Sequence, residues 1–113
     1  MRSLLSLLVF VGLSGMAQAQ SVAVMLGDSG LTPDDIKAVL AESEALYTNP
    51  EVQAGDKSTW QNEASGASGS IEVTGVEEGC VLITHVFETQ EKAGQQRAEF
   101  KRCKRADGLW QLE

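Results

Sequence analysis

A β-hairpin is predicted by the sequence CVLITHVFETQEKAGQQRAEFKRCKR, which covers residues 80–105. Its first part, 80–88, is rich in β-branched and aromatic residues, and its last part, 95–105, has the length of a second strand. The polar segment 90–94 between them ends in glycine and is typical of a turn. We therefore expect two adjacent antiparallel strands joined by this turn.

The two cysteines set the alignment of these strands. When Cys80 lies opposite Cys103, the turn is centred inside the polar segment 90–94. The same register pairs Ile83 with Phe100, which brings apolar residues together on one face, and a shift by one residue would remove both agreements. The sequence therefore predicts a Cys80–Cys103 disulfide between the two strands.

The N-terminus has the features of a secretory signal peptide. Arg2 is followed by an apolar run, Leu4–Met16, that is shorter than the roughly 20 residues needed to span a bilayer. Ala17-Gln18-Ala19 places small residues where signal peptidase reads them, so residues 1–19 are predicted to be removed by cleavage between Ala19 and Gln20. The expected location is the periplasm or cell envelope, an oxidising compartment in which a cysteine pair forms a disulfide.

A helix at about 33–47 is predicted upstream of the hairpin. Thr32-Pro33 has the residue types of an N-cap and a first helical position, and Asp34-Asp35 adds negative charge to the first turn. Asn49-Pro50 ends the helix. Apolar and small residues recur between these limits at helical spacing, namely Ile36, Val39, Leu40, Ser43, Leu46 and Tyr47.

Strand and turn signals alternate in the rest of the chain. Ser58–Gln61 is predicted as a short extended piece, Ser65–Gly69 as a turn and Ser70–Val76 as a strand. Asp107-Gly108 is typical of a two-residue hairpin loop that leads into a last strand.

The predicted fold class is α+β. One N-terminal amphipathic helix is followed by a small antiparallel β-meander of four or five strands at about 57–113, stapled by the disulfide. Together they form a single domain, residues 20–113, which is an ordinary length for one domain.

Composition restricts the classes of function. The chain has 113 residues, with 16 acidic against 9 basic residues and a net charge of −7. So acidic a protein is not expected to bind nucleic acid, because such binding begins with the neutralisation of phosphates. One histidine and two cysteines offer too few ligands for a metal cage, and no cofactor is predicted. No later segment is apolar enough to span a membrane, and no cysteine near the cleavage site offers a lipid anchor.

His85 is the only histidine and therefore the only candidate for an imidazole catalyst. Strand alternation places it between Ile83 and Phe87, on the apolar face of the hairpin. We expect a structural histidine at this position. The alternative is a small periplasmic hydrolase that uses His85 as a general base.

Two tryptophans and the strand 95–105, called here the basic strand, are candidates for a binding surface. Trp60 and Trp110 are expected to fill the core, and the alternative is that they flank a binding groove. Lys101 and Arg105 lie on one side of the basic strand, where they would dock an anionic polymer or lipid headgroups. The alternative is that these side chains pair with the chain's own acidic residues. This alternative is favoured because other basic residues of the same strand point the opposite way. These acids are Glu72, Glu77, Glu78 and Glu88.

Several short motifs follow one another in the second half of the chain. They are Trp60-x-Asn62, Ser65-Gly66 with Gly69, Cys80, and Cys103-Lys104-x-x-Asp107-Gly108-x-Trp110. In order and spacing they resemble the bacterial surface-antigen domain family related to the rickettsial 17-kDa surface antigen. The preceding helix is also similar to the helix before that domain, through Leu31, Asp35, Ala38, Ala41, Ala45 and Leu46. The resemblance covers roughly residues 31–113.

This resemblance implies a fold and a cellular address, and it implies no reaction, because the family has no catalytic residues to carry over. Many members have a lipid-attachment cysteine and a glycine-zipper segment, and this chain has neither. The first hypothesis is therefore a non-enzymatic cell-envelope module, antigen-like, that binds or buttresses an unidentified envelope component. Besides the hydrolase, a further alternative is a periplasmic inhibitor that presents the Asp107-Gly108 hairpin to a partner enzyme.

The signal-peptide hypothesis predicts an exported protein that starts at Gln20. Intact-mass measurement of protein recovered from the periplasm should give the mass of residues 20–113 less the two hydrogens of one disulfide. Retention of residues 1–19 in the recovered protein would contradict the prediction.

Overall fold

A computed structural model describes residues 27–113 of the chain. The predicted signal peptide, its cleavage site and the segment up to Leu26 lie outside the described residues. A short 3₁₀ helix, Gly27–Ser29, precedes the single α-helix of this part, so the α-helix is not the first element of the chain. The elements are the helix α1 (Pro33–Tyr47) and the strands β1 (Lys57–Asn62), β2 (Ala67–Glu77), β3 (Cys80–Glu88), β4 (Gln96–Lys104) and β5 (Trp110–Leu112).

The five strands form one antiparallel sheet in the order β1-β2-β3-β4-β5, so each strand pairs with its neighbour in sequence. This arrangement confirms the predicted α+β class and the meander. The predicted register of the central hairpin is also confirmed, since Cys80 lies opposite Cys103 and Ile83 lies opposite Phe100. In the described part of the chain no helix is both long and apolar enough to cross a membrane.

The predicted disulfide is present between β3 and β4. Gly79 and Lys104 form the pair next to Cys80 and Cys103, and the Lys104 amide donates a hydrogen bond to the Gly79 carbonyl at 2.8 Å. Cys80 and Cys103 therefore form a non-hydrogen-bonded pair, the type in which opposite Cα atoms approach most closely. Their Cα atoms are 4.0 Å apart, which lets the two sulfurs bond directly across the ladder.

The start of α1 is held by one buried carboxylate. Asp35 Oδ2 accepts from the Thr32 amide at 2.9 Å, and Thr32 Oγ1 accepts from the Asp35 amide at 3.1 Å, which completes a reciprocal capping box. Asp35 Oδ1 also accepts from Asn62 Nδ2 at 2.8 Å and from Ser65 Oγ at 2.7 Å. Burial alone would raise the pKa of Asp35, but these hydrogen bonds to Ser65, Thr32 and Asn62 bring it below its usual 3.8. The carboxylate thus ties the helix start to the β1–β2 turn.

The core lies between α1 and one face of the sheet, and the opposite face carries no helix in the described chain. Glu42 accepts a hydrogen bond from Ser58 of β1, and the C-terminal Tyr47 of α1 packs on Trp110 of β5 with ring centroids 5.1 Å apart. The helix therefore reaches from the first edge strand to the last. The buried apolar residues are Leu31, Val39, Tyr47, Trp60, Ala67, Ile71, Val73, Val81, Ile83, Phe87 and Phe100.

The predicted turn at Ser65–Gly69 is wrong in its second half. The turn occupies residues 63–66, and β2 begins at Ala67. Gly69 is inside the strand because Trp60 of β1 lies directly opposite it. A Cβ atom on Gly69 would lie 2.9 Å from Trp60 Nε1 and 2.8 Å from Phe87 Cβ, so this glycine serves close packing and does not form a turn.

Removal of the disulfide should lower the free energy of unfolding by about 3 kcal/mol, because the bond restricts the unfolded chain. The variant is Cys80→Ala with Cys103→Ala, compared with the oxidised wild type by urea unfolding. A reductant should shift the wild-type midpoint towards that of the variant and leave the variant unchanged. A variant as stable as the oxidised protein would contradict the expectation.

Candidate functional site

The uncovered face of the sheet is formed by the side chains that alternate with the core residues. On β1 and β2 these include Thr59, which lies opposite Ser70, and Gln61, which lies opposite Ser68. Their neighbours Trp60 and Ile71 point to the covered side and are buried. The uncovered face is therefore lined by short hydroxyl and amide side chains over its first two strands.

A first concavity of about 430 Å³ lies on this face across β1, β2 and β3. Hydroxyl, amide and carboxylate groups dominate its lining, through Thr59, Gln61, Ser68, Ser70, Glu88 and Gln95. Hydroxyl and amide groups both donate and accept hydrogen bonds. The first concavity is thus suited to a polar ligand with little charge.

A second concavity of about 330 Å³ lies on the same face across β2, β3, β4 and the C-terminus. It is more charged, with Thr74, Thr84, Arg97, Glu99, Lys101 and Glu113 in its lining. Lys101 Nζ lies 3.3 Å from Glu77 Oε2, and Arg97 Nη2 lies 3.3 Å from Glu99 Oε1. Both pairs are exposed and contribute little to stability, but they balance the charge of the basic strand locally.

The four residues predicted as a binding surface do not lie together. Trp60 is only 7 % exposed and lies on the covered face of β1. Trp110 is half-buried on β5, at the other edge of the sheet, against Tyr47. Lys101 belongs to the uncovered face, whereas Arg105 follows β4 and pairs with Asp107 at 3.1 Å.

His85 lies in the core with 5 % of its surface exposed. It is flanked across the sheet by Ile71 and Ala98, and its ring meets the ring of Phe100 edge-on, with centroids 5.3 Å apart. Within residues 27–113 its buried Nδ1 has no hydrogen-bond partner. Burial, assisted by the positive charge of Arg102, lowers the pKa of His85 from the usual 6.5 to about 4. The imidazole is therefore neutral at pH 7.

Arg102 is a buried residue that the sequence did not indicate. It is 8 % exposed, and its guanidinium carbon lies 5.3 Å from the centre of the Tyr47 ring, a cation–π distance. Its position on β4, in step with Ala98 and Phe100, is the signal that points to the covered face. The length and charge of an arginine side chain nevertheless predict exposure when the helix above it is unknown.

The predicted turn at Asp107-Gly108 is present between β4 and β5, but the prediction of a two-residue loop is wrong. Lys104 pairs with Trp110, so three residues, 106–108, form the loop. Its backbone is held by the Arg105 amide, which donates to the Leu109 carbonyl at 2.7 Å, and by the Gly108 amide, which donates to the Arg105 carbonyl at 2.9 Å. The Leu109 amide donates to Asp107 Oδ1 at 3.1 Å. Gly108 has a φ of +88°, which glycine adopts without strain. The turn presents Leu109 with 61 % of its surface exposed.

Comparisons with known proteins identify no relative of this chain. No protein-family model matches the sequence, and neither the curated proteins nor the solved structures contain a match. Within the described residues no three His, Cys, Asp or Glu side chains are grouped closely enough to hold a metal ion.

The buried His85 predicts a loss of stability in mild acid. The unfolded chain takes up a proton near pH 6.5 and the folded protein only near pH 4, so the contribution of the neutral imidazole is complete above about pH 6.5 and is lost as the pH falls towards 4. Between pH 7 and pH 4.5 the loss should be about 2 kcal/mol. Urea unfolding at pH 7 and pH 4.5 measures it.

The matched variant is His85→Leu, which has no titratable group at this site. Its free energy of unfolding should change much less between the two pH values. Because His85 is the only histidine, an equal change in both proteins would assign the acid sensitivity to carboxylates and contradict the prediction.

Proposed function

We propose that this chain is an exported, non-enzymatic binding module of the bacterial cell envelope. The N-terminal sequence supports export, and the disulfide is compatible with an oxidising compartment. The resemblance to the surface-antigen domain implies the same address. The binding surface in this proposal is the uncovered face of the sheet.

The observation that carries the proposal is the first concavity. Antiparallel sheets commonly leave one face to solvent. Here the hydroxyl side chains on that face of β1 and β2 are short, and a depression lies over β1, β2 and β3. Thr59, Ser68 and Ser70 contribute hydroxyl groups, and Gln61 and Gln95 contribute amides. Such neutral hydrogen-bonding groups fit a polyhydroxylated polymer, of which the glycan strands of the cell wall are the example expected in this compartment.

The position of His85 supports a module without catalysis. A general base has to reach the proton that it removes, directly or through one water. His85 lies among core residues with 5 % exposure, and its pKa near 4 makes it a weak base at neutral pH. The hydrolase hypothesis would require the core to open at α1.

A second candidate function, inhibition of a partner enzyme, is favoured by the β4–β5 turn. Hydrogen bonds fix the backbone of the turn, and the disulfide links β4, the strand that enters the turn, to β3. A loop that is already ordered loses less entropy on binding. Leu109 at its tip would be the anchor that enters an apolar pocket of the enzyme.

Co-sedimentation with purified peptidoglycan sacculi tests the first function. Wild-type protein should be retained, and retention should change little between 20 and 300 mM salt because the lining of the first concavity is largely uncharged. The variant Thr59→Arg with Ser70→Arg places two long side chains in the concavity and should reduce binding at least tenfold. Anionic phospholipid vesicles are the parallel probe, and retention by vesicles alone would contradict the proposal.

The matched control is Ala41→Arg with Ala45→Arg, which adds the same charge at two exposed positions of α1. It should bind sacculi like the wild type, and thermal unfolding should show that both double variants are folded. Failure of the wild type to bind, or equal loss in both variants, would overturn the role of the uncovered face. Leu109→Asp should leave this binding unchanged and would impair only the inhibitor function.

A further inference from the structure

The second concavity contains a row of alternating charges that the proposed function does not use. Arg97, Glu99 and Lys101 occupy alternate positions of β4 and line this concavity. Alternate residues of a strand lie on one face about 6.6 Å apart, so a positive, a negative and a positive charge follow one another there. A ligand that matches this row carries a negative, a positive and a negative group in succession.

The charged groups of this row are held only by exposed contacts. Arg97 pairs with Glu99 of the row itself, and the two side chains are 65 % and 68 % exposed. Lys101 pairs with Glu77, and these side chains are 42 % and 56 % exposed. Exposed ion pairs contribute little free energy. A ligand group of matching charge can therefore replace the internal partner of Arg97 or Lys101 at small cost.

A β-bulge brings a hydroxyl group to the same concavity. The pairing of β2 with β3 shifts between Val73 and Gly75, which leaves Thr74 as the extra residue. Thr74 lines the second concavity, where its Oγ1 accepts from Thr84 Oγ1 at 3.4 Å. Bulges re-aim single side chains and are frequent beside functional sites. Since Thr84 lies directly opposite Glu99, the two hydroxyls add neutral hydrogen-bonding groups beside the charged row.

The two concavities adjoin on the sheet. Val86 lines the first and Arg97 lines the second, and these two residues lie directly opposite each other on β3 and β4. Opposite residues of neighbouring antiparallel strands have Cα atoms about 5 Å apart. A polymer bound in the first concavity would therefore bring its side branches within reach of Arg97.

The chemistry of the charged row fits a short peptide branch. Cell-wall glycans carry such branches, which present free carboxylates on both sides of an amino group. An arginine binds a carboxylate through two parallel hydrogen bonds, and a lysine binds it as a point charge. The volume of about 330 Å³ lies at the lower end of the range for ligand pockets, so it suits a few residues of peptide and no more.

We propose that the second concavity is a subsite for the peptide branch of the glycan that lies in the first. Arg97 and Lys101 bind two carboxylates of the branch, and Glu99 binds the amino group between them. This inference rests on the proposed function, because the glycan is what brings the branch to the second concavity. It adds a charged, peptide-reading part to a site whose other part is neutral.

Two soluble probes prepared from sacculi test the proposal: disaccharide fragments that carry the peptide, and the same fragments with the peptide carboxylates converted to amides. Isothermal titration at low salt should give a Kd about threefold lower for the charged probe, because exposed ion pairs are individually weak. The difference should disappear at high salt. Sacculi offer glycan in large excess, so a gain of this size leaves the retained fraction nearly unchanged. Equal Kd values at low salt would overturn this inference alone, whereas failure of both probes to bind would overturn the proposed function with it.

Two double variants give a matched comparison. Arg97→Gln with Lys101→Gln removes both cations of the row, so the charged and the amidated probe should bind it equally, with the affinity that the wild type has for the amidated probe. Lys104→Gln with Arg105→Gln removes the same charge outside the second concavity and should retain the threefold preference. Thermal unfolding shows that both variants are folded. A preference that persists in the first variant, or is lost in both, would overturn the assignment of the row.

Discussion

The alignment of β3 with β4 is the constraint on which most of the molecule depends. Because side chains alternate along a strand, the pairing of Cys80 with Cys103 decides at once which residues of both strands face α1. It sends Ile83, His85 and Phe100 into the core and Lys101 to the opposite side. A covalent bond at one pair therefore reinforces the division of the side chains of both strands between the two faces, which the apolar pairing of Ile83 with Phe100 also favours.

The two faces then acquire different chemistry for a simple reason. α1 covers one side of the sheet and excludes water there, so that face accommodates large apolar residues and even a neutral histidine. On the other side no helix of the described chain excludes solvent, and small polar residues such as Thr59 and Ser70 are tolerated there. The depression on that side is thus a direct result of short side chains between longer ones.

Local signals in the sequence are sufficient for α1 and for the central hairpin. The capping residues Thr32 and Asp35 predict the start of α1, and the cysteine spacing predicts the register, because both depend on residues that are close in sequence or directly paired. The β1–β2 turn was misplaced because Gly69 has the composition of a turn, while its real role depends on Trp60 from another strand. The burial of Arg102 likewise depends on Tyr47 from the helix. Strand alternation predicts the face of the sheet on which Arg102 lies but not that a helix covers it. The concavities were not predicted, since their depth depends on the relative lengths of side chains on three strands.

Arg102 also explains the direction in which α1 lies on the sheet. A helix carries partial positive charge at its N-terminus and partial negative charge at its C-terminus. The first turn of α1 contains Asp34 and Asp35, but its last turn contains no basic residue. Arg102 supplies that missing cation from β4, through its contact with Tyr47. Reversal of the helix on the same apolar face would place the guanidinium at the positive end and would separate Asp35 from Asn62. Electrostatics therefore favours the observed direction of the helix over the reversed one, in addition to hydrophobic packing.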